Sequence, residues 1–198
     1  MLRKYHSLTA NPVGADRIQG VIGRFNMKKS AWSMTLQPGS DRTKECLERN
    51  RIIIGWGVEV PPTDYFSLRE AIRASYFPET KDRSAAGRAA SMAYRFCNKI
   101  NADDYVIIPG DDFVFYVGRV VSQNYSLDSD GFYEREVIWL EGNDELTWQS
   151  APTDLQRACT ITGALVNCNY AIPALEEFML SMVGDPNIVS RLSARQRV

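Results

Sequence analysis

Two adjacent carboxylates, Asp111 and Asp112, follow Gly110 between two apolar runs. Such a pair can hold Mg²⁺ for phosphoryl chemistry. The same three residues are ordinary hairpin-turn residues whose side chains diverge, and we prefer that reading. Asp64 upstream of Pro78-Glu79-Thr80-Lys81 supplies the acid and lysine types that a metal nuclease uses. That chemistry wants Glu-x-Lys on a strand, whereas Pro78 marks a break between helices. A serine or cysteine nucleophile needs a base, and the single histidine, His6, lies in an irregular stretch. Gly55-Trp56-Gly57 lacks the lysine and spacing of a phosphate loop. Cys46, Cys97, Cys159 and Cys168 are widely spaced, so no structural zinc is expected. Each usual catalytic set lacks a member. The chain is therefore read as no enzyme by itself, with no catalytic residue, metal or cofactor.

What stands out instead is the aromatic supply, four Trp and nine Tyr, several at strand ends or beside glycines. Two aromatic faces spaced to admit a planar base, with a polar group at its edge, can hold a base turned out of its stack. Each stacked base contributes about 1–3 kcal/mol. Trp32, Trp56, Tyr116, Tyr125 and Trp139 are the candidates. Trp56 is favoured because its flanking glycines leave its surroundings open.

The elements that must position these residues follow from periodicity. Residues 1–30 have no sustained period and are read as a partly ordered leader. Ala31 to Leu36 alternates as a half-buried strand ending at Pro38-Gly39. Ser40-Asp41 can cap a short helix through Arg49. Arg51 to Gly57 is a β-branched run that reads as the central strand, ending where backbone approaches something closely. Thr63 or Asp64 can cap a helix carrying Phe66, Leu68, Ala71 and Ile72, and a second helix follows Ser84. This helical insertion spans 63–100. Tyr105 to Pro109 and Phe113 to Val121 make a hairpin, and Phe132 to Leu140 a further strand after the Asp128-Ser-Asp-Gly131 turn. Helices are expected from Thr153 to about Ala158 and from Pro173 to Val183.

The order of these segments resembles the PUA-like domains of the EVE and YTH kind, as attached to prokaryotic modification-dependent restriction enzymes. The likeness rests on Ile53-Ile54-Gly55-Trp56-Gly57, Asp104-Tyr-Val-Ile-Ile-Pro109, Tyr116-Val-Gly-Arg-Val120 with Tyr125, and Arg135-Glu-Val-Ile-Trp139-Leu140. It implies an α+β fold: a twisted β-barrel over 31–145 with a helical insertion, and a C-terminal helical extension over 146–198 packing on it. It also implies an aromatic pocket for a turned-out base bearing a methyl or hydroxymethyl group. Val58-Glu59-Val60-Pro61-Pro62 departs from the acidic residue and Gly-Asp-Leu-like turn of such domains. Asp103-Asp104 keeps only the Asp of their Gly-Asp.

The expected function is that of a nucleic-acid-binding reader of a modified base in a restriction or antiviral defence context. Trp56 and Trp32 are expected as pocket walls, with Tyr125 or Trp139 in support and Asp64 accepting from a base amine. Arg119 and Arg135, taken as outward strand residues, are expected on the phosphate backbone with Lys28 and Lys29. Other basic segments are Arg24, then Lys81, Arg83 and Arg88, then Arg191, Arg195 and Arg197. The partner is DNA or RNA, with any nuclease or motor activity supplied by another chain. The 198 residues, 44% hydrophobic, suffice for a sizeable core. With 23 basic and 24 acidic residues the net charge is -1, so affinity for phosphates must come from a local patch. That balance keeps open a protein-interaction subunit using the barrel as scaffold, and Asp111, Asp112 or Glu79 keep open a divergent metal nuclease. No apolar run reaches the roughly 18 residues of a membrane span. A cytoplasmic location is expected.

Overall fold

The computed structural model describes residues 29–35, 42–79, 83–110, 114–140, 146–147, 149–161 and 165–183. His6, Lys28, Lys81, Asp111, Asp112 and the basic C-terminal arginines lie outside the described residues. The described part is an α+β fold with a curled sheet. In chain order its elements are β1 (Ala31–Met34), α1 (Arg42–Glu48), β2 (Arg51–Ile54), α2 (Tyr65–Tyr76), α3 (Arg83–Asn98), β3 (Tyr105–Pro109), β4 (Phe115–Val120), β5 (Ser126–Leu127), β6 (Tyr133–Trp139), α4 (Thr153–Thr160), β7 (Leu165–Asn167) and α5 (Ile172–Val183).

The strands run in the order β2-β6-β4-β3-β1-β7, with β5 beside β6, so β2 stands at the end of the order and not at the centre expected for it from its apolar run. β3 and β4 form the expected antiparallel hairpin, with Tyr105 opposite Arg119 and Pro109 opposite Phe115. β1 lies parallel to β3 on the other side. Among the described residues no ladder joins β2 to β7, and the sheet is a curled half-barrel, compatible at that level with the α+β barrel expected from the sequence.

The continuous apolar run of β3 is explained by burial on both faces. Val106 and Ile108 enter one cluster with Trp32, Met34, Ile52, Ala93 and Phe96. Tyr105 and Ile107 point oppositely, into a second cluster with Phe115, Val117, Leu155, Ala158 and Leu175. Helices α2 and α3 therefore cover one face of the sheet, and α4 and α5 the other. The last third of the chain also adds β7 as an edge strand antiparallel to β1, which the sequence reading missed. No helix among the described residues is long and apolar enough to cross a membrane.

Two buried polar residues fasten the sheet to α3. Asp104, 2% exposed, accepts from the Ser30 N–H at 2.8 Å, the Trp32 indole N–H at 3.0 Å and the Asn101 N–H at 2.9 Å. Its carboxylate thus ties the start of β1 to the α3–β3 connection. Arg135, also 2% exposed, donates to the Phe96 carbonyl at 3.0 Å and the Cys97 carbonyl at 2.9 Å. Its third arm reaches the Ser122 and Gln123 carbonyls at 3.3 Å, where the chain leaves the ladder between β4 and β5. A cation there satisfies carbonyls in the last turn of α3 and complements the negative end of its dipole. The expectation that Arg135 faces outward is corrected: it shares the inward face of Tyr133 and Val137.

Candidate functional site

Trp56, between its two glycines, is the residue on which the sequence reading places most weight. Trp56 follows β2 after Gly55, in left-handed backbone with φ 66°. For a bulky L-residue that conformation costs about 1–2 kcal/mol and persists only when the surroundings enforce it. Here they do. The Tyr76 hydroxyl donates to the Gly57 carbonyl at 2.8 Å. A Cβ on Gly57 would stand 1.5 Å from the Gly131 carbonyl oxygen, so only glycine lets these backbones meet. This is the close approach that the glycine-flanked strand end predicts.

The surface that Gly57 meets is itself fixed. In the Asp128 to Gly131 turn, the Asp128 carboxylate accepts from the N–H groups of Asp130 and Phe132 at 2.9 and 2.8 Å, while Gly131 takes φ 76°. Buried Glu134 below it accepts from Arg49 and from Arg51, each at 2.9 Å. Trp56 therefore sits on a braced loop.

Its ring lines a cleft of about 560 Å³, with Phe77 from the end of α2, Arg88, Met92 and Arg95 from α3, and Leu165 from β7. The lining comes from both sides of the opening, β2's exit and the β7 edge, with α3 spanning between them. Arg88 and Arg95 are exposed. Arg88 donates to the Ser84 hydroxyl at 2.9 Å and Arg95 to the Leu165 carbonyl at 3.3 Å. Neither forms an ion pair with a carboxylate among the described residues. The cleft thus joins two aromatic rings to two cations, a set suited to a flat, anionic ligand.

The other expected site residues do not line this cleft. Trp32 is 7% exposed, in the core, its indole bonded to Asp104. Trp139 lies across Gly118, where a Cβ would be 2.8 Å from its ring, and donates to the Cys46 carbonyl at 3.1 Å. Tyr125 packs edge-on against Tyr133, centroids 5.5 Å apart, and burial raises its phenol pKa. Tyr116 covers Gly110. Asp64 caps α2, accepting from the Phe66 and Ser67 N–H groups at 3.3 and 3.1 Å. Bonding from the Ser67 hydroxyl, and then from those two N–H groups, lowers its pKa. Arg119 pairs with Asp103 at 3.7 Å. Lys29 reaches Glu176 at 3.5 Å and the Tyr105 hydroxyl at 3.3 Å, holding α5 to the sheet.

Sequence reasoning missed Phe77 and Arg95, and treated Arg88 only as part of a basic segment. A signal existed, because Arg88, Met92 and Arg95 recur at helical spacing on one face beside the apolar stripe of α3.

A family model matches residues 32–159, from Trp32 on β1 to Cys159 on α4. The chain belongs to the DUF8426 family, a domain of unknown function. No curated protein and no solved structure matches it. The span matched by DUF8426 holds Trp56, Phe77, Arg88 and Arg95 and ends before β7. Within it, no three His, Cys, Asp or Glu side chains among the described residues are grouped to hold a metal ion.

Proposed function

We propose that this DUF8426 chain is a nucleic-acid reader of the PUA-like, EVE/YTH kind, which takes a turned-out modified base against Trp56. The observation that carries the reading is the braced, left-handed Trp56 facing a cleft with Phe77 and two arginines. A strained residue held by its surroundings is a reason to look for function at that place. The half-barrel with helices at its opening is compatible with the PUA-like type, and a cleft of this size lies within the range of ligand pockets. A methyl group on an exocyclic amine adds apolar contact to walls made by Trp56, Phe77 and Met92. In a restriction or defence setting, cleavage belongs to a separate polypeptide.

The test is anisotropy binding of labelled DNA and RNA strands, with and without one methylated adenine or cytosine. Wild type is expected to prefer a methylated strand. Trp56→Ala is expected to remove that preference and to weaken binding by the roughly 1–3 kcal/mol of one stacked base. Unchanged binding by a folded Trp56→Ala protein rejects the reading. Co-purification with a protein partner and no salt-dependent retention on DNA or RNA favours the scaffold alternative.

A further inference from the structure

The two arginines on α3 carry an inference that rests on the proposed reading and deepens it. Arg88 and Arg95 are seven positions apart, about 10 Å along a helix rising about 1.5 Å per residue. Both border the cleft that Trp56 and Phe77 line, and neither is neutralised by a carboxylate among the described residues. Elsewhere Arg69 and Arg73 pair with Glu70, Arg49 with Glu45 and Glu134, and Arg119 with Asp103, while exposed Arg157 lies over the Tyr170 ring, away from this cleft. In a chain of net charge -1 this is a local positive rail beside an aromatic slot.

We infer that Arg88 and Arg95 bind the two phosphates flanking the nucleotide whose base enters the cleft. The ligand is then a strand continuing on both sides of the base, not a free nucleotide. One cation beside an aromatic ring serves a mononucleotide. Two cations separated along α3, on the cleft that the Trp56 ring borders from β2's exit, match a backbone running along the helix. Guanidinium groups suit this task because their planar donors take phosphate oxygens in pairs. The rail also replaces the assignment of backbone contacts to Arg119 and Arg135, one paired with Asp103 and the other buried.

The experiment is a salt titration of binding to short labelled single strands, in DNA and RNA arms, for wild type, Arg88→Gln, Arg95→Gln, Trp56→Gly and Arg69→Gln as a control outside the cleft. Thermal unfolding verifies that each variant is folded. Each cleft arginine removed is expected to lower the slope of log affinity against log salt by about 0.7, equally for methylated and plain strands. Arg69→Gln is expected to leave the slope unchanged. The corresponding nucleoside monophosphate, at concentrations where an unlabelled strand displaces the probe, is expected not to compete. Unchanged slopes in both arginine variants overturn the rail even if Trp56→Gly abolishes base preference, and the reader reading then survives alone. Reduced slopes without any base preference in wild type retain the rail and remove the modified-base reading. Full competition by the monophosphate overturns the two-phosphate assignment, and absence of binding to every strand overturns both.

Discussion

Trp56 and Trp139 each stand beside a glycine, and the two glycines do opposite things. Gly118 lies across the ladder from Trp139, and its missing side chain lets the indole lie flat on β4. The ring then spends its one N–H on the Cys46 carbonyl and fills a hollow in the sheet. Gly57 follows Trp56 in the chain and admits backbone instead, the Gly131 carbonyl. The Trp56 ring packs partly against the core and also borders the cleft. The loop around it is held while the ring itself is left on a cleft. A tryptophan next to a glycine is therefore a packing device when the glycine receives the ring, and a presentation device when the glycine receives another main chain.

The largest expected effect is at Gly57. Gly57→Ala puts a methyl group into the Gly131 carbonyl, a backbone atom that cannot turn aside, and should destabilise by about 3 kcal/mol. Chemical denaturation measures it. A loss well under 1 kcal/mol shows that the two loops separate freely, and that Trp56 is not held. Arg135→Gln follows, at about 2–3 kcal/mol, because carbonyls of Phe96 and Cys97 lose a charged donor inside the core. Its salt slope for nucleic-acid binding should not change. A changed slope restores Arg135 to the phosphate-contacting role expected of it from the sequence. Trp139→Phe keeps much of the ring but loses the bond to Cys46, a cost of about 1 kcal/mol with base preference intact. Lost preference would place Trp139 in the binding pocket after all.

How far the sequence could be read depends on what each residue was asked to report. The apolar runs at 51–54, 105–109 and 115–120 announced strands because alternate residues on both faces are buried, and turn residues bounded them. β5 and β7, two and three residues long, are too short to show a period. They form because β6 and β1 offer them partners far away in the chain. Arg135 was misplaced although the pattern held the answer: Tyr133, Arg135 and Val137 share one face of β6. The period placed Arg135 inside, and its charge argued outward. Period won because carbonyls at the end of α3 were waiting. The cleft shows the same limit. Trp56 was visible through its glycines, but Leu165 meets Arg95 across a long stretch of chain that no local pattern spans.

The smallest expected effect tests the strain at Trp56 directly. With φ at 66°, any L-residue there carries a steric penalty that glycine does not. Trp56→Ala and Trp56→Gly both remove the ring from the cleft and from the core it packs against, so the difference between them isolates the backbone. Glycine should be the more stable variant by about 1 kcal/mol, less whatever its freer unfolded chain gives back. Equal or reversed stabilities would mean that the loop relaxes out of the left-handed region once the ring is gone. The indole's packing would then be what holds that conformation. A more stable Trp56→Gly protein that has lost base preference separates the two roles: Gly57, Gly131 and Tyr76 shape the loop, and the ring bears on the ligand alone.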